Sequence, residues 1–346
     1  MKRRASRART IRASGQDGRA LNRGDPTRAH QRTAAAANPA VAESRTVVIT
    51  GASRGLGLAT AAHLHRAGWK VLAAMRSPDD GLDTLRAAAG ARSDDPRLIG
   101  VRLDLDDSAS IASAARVIRD TVGAPDGLVH NAGVACVGCL EELPAAAWQQ
   151  TFSTNFFGPV QLTKELLPDM RVAGRGRIVM VSSQGAIRGM PGIGPYSATK
   201  GALERWAESL SQEIAPFGLG VTVLVAGTFK TDILTLTRTY ADPSGPYSEL
   251  HDGLETAGHR FLRFARAPER FAPAVEKALD DRRPFARHGV GIDVKMLLAA
   301  NRLMPFGLLQ RAIGRAIGIP RAGSLRGDPR RTANGTTNSD ERNVIG

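Results

Sequence analysis

Six short runs rich in β-branched residues recur between residues 45 and 225, separated by stretches with helical apolar spacing, and this alternation limits the fold more tightly than any other feature. Residues 45–49, 70–75, 97–103, 127–130, 178–182 and 219–225 read as strands. Residues 56–67, 81–89, 108–122, 144–152, 157–170 and 196–215 read as helices. Strands separated by whole helices cannot close hairpins, so they pair in parallel through crossovers. The expected fold class is a single α/β unit, a doubly wound parallel sheet of six to seven strands with helices on both faces. Residues 287–291 are the candidate seventh strand. No repeat of solenoid length occurs, and 42% hydrophobic content is ample for a core.

The first strand runs into Thr50-Gly51-Ala52-Ser53-Arg54-Gly55-Leu56-Gly57. A glycine-rich turn between a strand and a helix lets backbone amides approach a pyrophosphate, and the helix amino end adds favourable partial charge. Gly51, Gly55 and Gly57 give the spacing G-x-x-x-G-x-G, which differs from the generic G-x-G-x-x-G. A second cluster lies in Tyr196-Ser197-Ala198-Thr199-Lys200, where Tyr196 and Lys200 are four apart and share one helix face. A free phenol titrates near pH ~10, so using its anion near neutrality takes a shift of about 4 kcal/mol. A neighbouring ammonium shifts it in that direction. The tyrosine can then pass a proton to or from an alcohol oxygen. Ser183 stands thirteen residues upstream at the end of an apolar strand, with Ser182 as the adjacent alternative, and Asn155 lies within Thr154-Asn155-Phe156-Phe157-Gly158.

These four signals, in this order and at these spacings, resemble the short-chain dehydrogenase/reductase family over about residues 45–292, and within it the hydroxysteroid and retinol dehydrogenase branch. The resemblance implies a Rossmann-like fold and alcohol–carbonyl interconversion by hydride transfer. By that resemblance Tyr196 is the general acid/base, Ser183 orients the substrate oxygen, Lys200 holds the nicotinamide ribose and lowers the tyrosine pKa, and Asn155 keeps a water in the proton relay. The family's spacing selects Ser183 over Ser182. The resemblance also implies that Gly51, Ser53, Arg54, Gly55, Leu56 and Gly57 cradle the pyrophosphate, and that Asp104 and Leu105 flank the adenine. Asn131, Ala132 and Gly133 approach the cofactor, and Gly227, Thr228 and Thr231 lie on the nicotinamide side.

Two positions depart from the family pattern. His130 replaces the first asparagine of N-N-A-G, and a structural role is expected for it ahead of catalysis. Ala226 replaces the proline of a Pro-Gly pair, so the turn after the sixth strand lacks a fixed φ. The second strand ends in Met75-Arg76, with no acid to bind ribose hydroxyls. Arg76 and Arg54 together can grip a 2′-phosphate through charge-assisted bonds, so NADP(H) is expected over NAD(H).

The remaining chain is read separately. The formal charge is +14, and residues 1–44 hold ten Lys or Arg against three acids. This leader is too poor in apolar residues to fold alone; a solvated extension is favoured over organelle targeting or nucleic-acid binding. Two cysteines, Cys136 and Cys139, fit a reducing, cytoplasmic setting, and without a second Cys/His pair no metal is expected. Residues 228–271 form a candidate substrate lid, interrupted by Pro243, Gly245, Pro246 and Gly253. Phe229, Leu234, Leu236, Tyr240, Tyr247, Leu250, Phe261 and Leu262 are its apolar contacts for a lipophilic alcohol, ketone or aldehyde of the steroid or retinoid kind. Residues 293–320 have helical spacing with interspersed cations. Packing on the sheet is favoured there over homo-oligomer contact or a peripheral membrane contact. Residues 321–346 are expected to be a disordered tail. The competing function is a dinucleotide-binding regulator or scaffold with a non-catalytic site.

Overall fold

Seven parallel strands carry the molecule, and the alternation of their side chains explains why both faces are covered. The computed structural model describes residues 44–326, except 232 and 234–236; the leader to residue 43, the tail from 327, and Leu234 and Leu236 lie outside the described residues. The strands are β1 (Thr46–Thr50), β2 (Lys70–Met75), β3 (Leu98–Arg102), β4 (Gly127–His130), β6 (Arg177–Ser183), β7 (Gly220–Ala226) and β9 (Phe285–Val290), joined in the order β3-β2-β1-β4-β6-β7-β9. On β1 and β2, Val48 and Leu72 enter one core, while Val47, Ile49, Val71 and Ala73 enter the other. Period two therefore feeds two cores from one sheet.

Helices α1 (Gly55–Arg66), α2 (Pro78–Ala89) and α9 (Ala272–Leu279) cover one face through residues such as Leu64, Leu85 and Val275. Helices α3 (Ser108–Val122), α5 (Gly158–Ala173) and α7 (Gly194–Ile214) cover the other through Ile111, Leu162 and Leu203. Strand order reverses between β1 and β4, which opens a crevice at the carboxyl ends of the strands. The site is built in that crevice.

Three local features differ from the sequence reading. The seventh strand is longer than residues 287–291 and pairs in parallel with β7 from Val221↔Phe285 to Ala226↔Val290. The helices flanking Asn155 are one continuous rod: α4 (Ala145–Phe152) joins α5 through a π-helical turn, Ser153–Phe157. Gly253 does not interrupt the lid but sits within α8 (Ser248–Leu262). The helix tolerates it because a close approach needs it: a Cβ there would lie 2.6 Å from the Gly318 carbonyl oxygen.

A feature with no sequence signal ties down the segment expected to form a lid. Strand β5 (Cys136–Val137) pairs with β8 (Arg238–Thr239) in a separate two-stranded ribbon. After β9, α10 (Ile292–Leu303) packs Val294 into the core, with Leu298 against it, and α11 (Phe306–Ala316) buries Leu309. Packing of 293–320 is thus real but one-sided. Among the described residues no helix is long and apolar enough to cross a membrane.

Candidate active site

The glycine turn folds as its sequence demands. Gly51 and Gly55 have φ of 68° and 56°, a region L side chains rarely adopt. A Cβ on Gly57 would stand 2.1 Å from the Gly51 carbonyl oxygen and 2.4 Å from Asn131 Nδ2. The turn is fastened from β4: Asn131 Nδ2 donates to the carbonyls of Thr50 and Gly51, at 3.0 and 3.2 Å. Thr50 Oγ1 accepts from the amides of Asn131 and Ala132, each at 3.1 Å. Thr50 and Asn131 thus shape the cradle by linking neighbouring strand ends.

Helix α1 then begins at the cradle with no side-chain cap and no acid in its first turn. Its orphan amides and dipole are left for an anion. Arg54 and Arg76 are exposed at the mouth, and neither guanidinium has an ion-pair partner among the described residues.

A cavity of about 700 Å³ joins this cradle to the second cluster. Its walls include Gly51, Ser53, Arg54, Gly55, Leu56, Arg76, Asp104, Leu105, Asn131, Ala132 and Gly133, then Ser183, Tyr196, Lys200, Gly227, Thr228 and Thr231. Gly57 and Asn155 stand just behind the wall. An extended molecule carrying a pyrophosphate fits these surroundings: uncapped amides at one end, free cations at the mouth, and a phenol with a hydroxyl at the other end.

Strand β6 delivers its two serines to opposite sides. Ser182 Oγ donates to Glu204 Oε1 at 2.7 Å inside the protein, whereas Ser183 lines the cavity with Tyr196 and accepts from the Gly185 amide at 3.3 Å. Desolvation raises the Tyr196 pKa above its ordinary value, and the Ser183 hydrogen bond pulls it back. The expected depression by Lys200 is not found: Lys200 is not among the causes of the Tyr196 shift, which burial sets. Lys200 is itself lowered to about 8 by burial, with Glu204 opposing the shift. Its Nζ donates to the Val181 carbonyl at 2.9 Å and lies 5.8 Å from the Tyr196 ring centre.

Asn155 is held by the π-helical turn. Its Oδ1 accepts from the Val134 amide at 2.8 Å, and its Nδ2 donates to the Val134 carbonyl and to Thr199 Oγ1. Both ends of the amide are thus engaged, and the side chain fixes the backbone after Gly133. His130 is buried, hydrogen-bonded to Thr163 at 2.7 Å, and lowered to about 3 by desolvation. That is a structural histidine, as its position implied.

Sequence reasoning missed the brace behind the Gly227–Thr228 turn. Asp293 Oδ2 accepts from the Thr228 amide at 2.6 Å and from Gln184 Nε2 at 2.8 Å. Gly227 must be glycine, because a Cβ would lie 2.2 Å from Asp293 Oδ1. A carboxylate from α10 therefore steadies the turn in which Ala226 replaces proline. Only a fold could reveal it, since 65 residues separate Asp293 from Thr228. Of the expected lid contacts, Phe229 lines the cavity and stacks edge-on against Phe271 at 5.4 Å. Tyr240, Tyr247, Leu250, Phe261 and Leu262 are not in its walls, while Ile233 and Thr237 are.

A doubly wound sheet with a glycine cradle and this tyrosine, lysine and serine cluster defines the class of dinucleotide-dependent oxidoreductases. A family model described as short chain dehydrogenase matches residues 45–241, and the chain belongs to that family. It is 34% identical over 271 residues to the uncharacterized oxidoreductase YbbO of Escherichia coli (strain K12), covering 78% of this chain and 94% of the relative. It is 31% identical to the 3-ketodihydrosphingosine reductase of Bacteroides thetaiotaomicron, over 77% of this chain and 96% of the relative. Retinol dehydrogenase 8 of Bos taurus is 33% identical over 77% of this chain and 87% of its own length. A crystal structure of a short-chain dehydrogenase from Streptomyces avermitilis aligns with a TM-score of 0.66 at 31% identity, covering 80% of this chain and 95% of that one. The protein is a dehydrogenase acting on CH–OH groups with a nicotinamide dinucleotide.

Proposed function

We propose that this enzyme uses NADP(H) to interconvert a lipophilic secondary alcohol and its carbonyl, with Tyr196 as the proton carrier. The observation that carries the reading is that Tyr196, Ser183 and Lys200 line one cavity together with the glycine cradle. When bound, the cofactor supplies or accepts the hydride. Ser183 orients the substrate oxygen and donates to it as charge develops. Tyr196 gives the proton to that oxygen on reduction and takes it on oxidation. Lys200, held on the Val181 carbonyl, stands ready to bond the nicotinamide ribose. Asn155 acts through backbone placement, and a water in the relay would need the carbonyl side of the π-helical turn.

The cofactor preference rests on Met75 at the end of β2 and on the two unpaired guanidiniums, Arg54 and Arg76. A 2′-phosphate is expected to raise kcat/KM at least about tenfold over the unphosphorylated cofactor, as two charge-assisted bonds allow. Equal values for NADPH and NADH would remove the assignment. The lipophilic substrate is supported by relatives named for retinol and for a ketosphingoid base. A panel of steroid, retinoid and long-chain ketones, followed by NADPH oxidation, tests it. Intact cofactor binding without turnover of any member would favour a regulatory dinucleotide-binding role instead.

The C-terminal helices extend the same reading to a lipid surface. Ile292, Met296 and Leu303 form an exposed apolar stripe on α10, continued by Phe306 and Leu308 on α11. Lys295, Arg302, Arg311 and Arg315 are exposed beside them, while Asp293 is turned inward to Thr228. An apolar face ringed by cations is complementary to an anionic bilayer. Co-sedimentation with phosphatidylglycerol vesicles, lost on Met296→Glu with Leu303→Glu, is the expected result. A concentration-dependent dimer with no vesicle binding would assign the stripe to a second copy.

A further inference from the structure

The C-x-x-C pair does not act as a pair. Cys136 is buried with its Sγ 3.7 Å from Thr151 Oγ1, on the side facing α4. Cys139 belongs to a different cluster. Its sulfur, a carboxylate oxygen of Glu142 and a ring nitrogen of His251 all lie within 4.8 Å of one another. Cys139 is buried, and the side chains of Glu142 and His251 are only 9% and 12% exposed.

The three groups are held in place by their surroundings. Glu142 accepts from the Cys139 amide at 2.6 Å and the Asp242 amide at 3.2 Å, which fixes its carboxylate across a tight turn. His251, on α8, places Nε2 2.8 Å from both carboxylate oxygens. A thiol, a carboxylate and an imidazole around one point are a ligand set suited to zinc. We propose that Cys139, Glu142 and His251 bind a single Zn²⁺, with solvent in the fourth position, and that the ion pins the lid to the segment after β5.

The chemistry balances. Coordination displaces one proton from the Cys139 sulfur to solvent, and neutral His251 binds through Nε2 with its ring proton on Nδ1. The thiolate and carboxylate together neutralise the ion, so the buried site carries no net charge. Zinc bonds of ~2.0 Å to nitrogen and oxygen and ~2.3 Å to sulfur set ligand separations of roughly 3.3–3.6 Å. The His251–Glu142 contact must therefore open by about half an ångström, and the sulfur must close by at most roughly 1.5 Å, movements within reach of side-chain torsions. The ion would add a third tether between the two lid walls, beside the β5–β8 ribbon and the Tyr240 amide bond to the Val137 carbonyl. Val137 also lines the active-site cavity, so the tether lies one residue from the wall that meets substrate.

The test uses the full-length, untagged chain, stripped with a chelator and titrated with zinc alone. One equivalent should bind with a Kd below about a micromolar and raise the melting temperature. Cobalt in place of zinc should give a thiolate charge-transfer band. Cys139→Ser should abolish the band and weaken zinc binding at least tenfold. His251→Gln should weaken binding similarly, and Cys136→Ser should leave both readouts intact. The proposal is overturned by the absence of stoichiometric zinc, by binding that survives Cys139→Ser, or by equal loss on Cys136→Ser. None of these outcomes depends on substrate turnover, so the oxidoreductase reading stands or falls separately.

Discussion

The cradle built from β1 to β4 and the cap built from residues 228–319 hold the same cavity by different means. In the cradle, strand registry and positive-φ glycines do the fastening, joined by two short-range side chains, Asn131 and Thr50, that bond neighbouring backbone. In the cap, isolated side chains reach across long stretches of chain: His251 to Glu142 and Asp293 to Gln184 each span 109 residues. The cradle's strand pairing resists single substitutions outside its glycines, Thr50 and Asn131, whereas a hook in the cap fails whenever its one carboxylate is removed. The cap is therefore where opening should be easiest, as the proposed lid role requires.

The largest effect should come at the junction of the two regions. Tyr196→Phe is expected to lower kcat by roughly 10²–10⁴-fold while the cofactor dissociation constant hardly changes. Retained turnover would end the proposed proton route. The next effect should come from the cradle. Gly57→Ala forces a methyl into the Gly51 carbonyl and Asn131 and should cost about 1–3 kcal/mol in urea unfolding, with cofactor affinity lost as well. An unchanged midpoint would show that the turn yields more than its packing implies.

Asp293→Ala addresses the cap. It strips the Thr228 amide and Gln184 of their acceptor and should cost about 1–2 kcal/mol. Its signature should be a raised KM for cofactor with cradle amides still protected from hydrogen exchange. Protection lost throughout the sheet would erase the distinction between the two regions.

The smallest effect is a pH dependence on the cradle's outer side. The Arg97 backbone amide, with the side chains of Arg97 and His65, holds Asp95 at about 2, below the ordinary 3.8. A depressed carboxylate stabilises the fold above pH 3.8 and loses that contribution as pH falls through about 2. Asp95→Asn should flatten the acid limb of the stability curve between those values and lower stability at neutral pH, where the carboxylate's contribution is fully present. An unchanged limb would mean that the carboxylate gains nothing on folding.

This contrast also explains what could be read from the chain alone. Strands and glycine turns follow from local spacing, so β1, α1, the cradle and the Tyr196–Lys200 face were legible before any fold was known. Ser183 was separable from Ser182 only by resemblance, and strand alternation supplies the physical reason: adjacent residues face opposite sides. Asp293, Gln184 and the Glu142–His251 link left no local trace, because each draws its meaning from a partner far along the chain. The Gly253 misreading has the same origin, since the close approach that keeps it in a helix comes from Gly318.

The Asp293 brace has a consequence for synthesis. Cradle, serine, tyrosine and lysine are all translated before residue 201, yet the Gly227–Thr228 turn gains its carboxylate support only from a helix near the far end. A nascent chain should thus grip dinucleotide weakly until that helix has left the ribosome, and a protease clipping between β9 and α10 would silence the enzyme without touching a catalytic side chain.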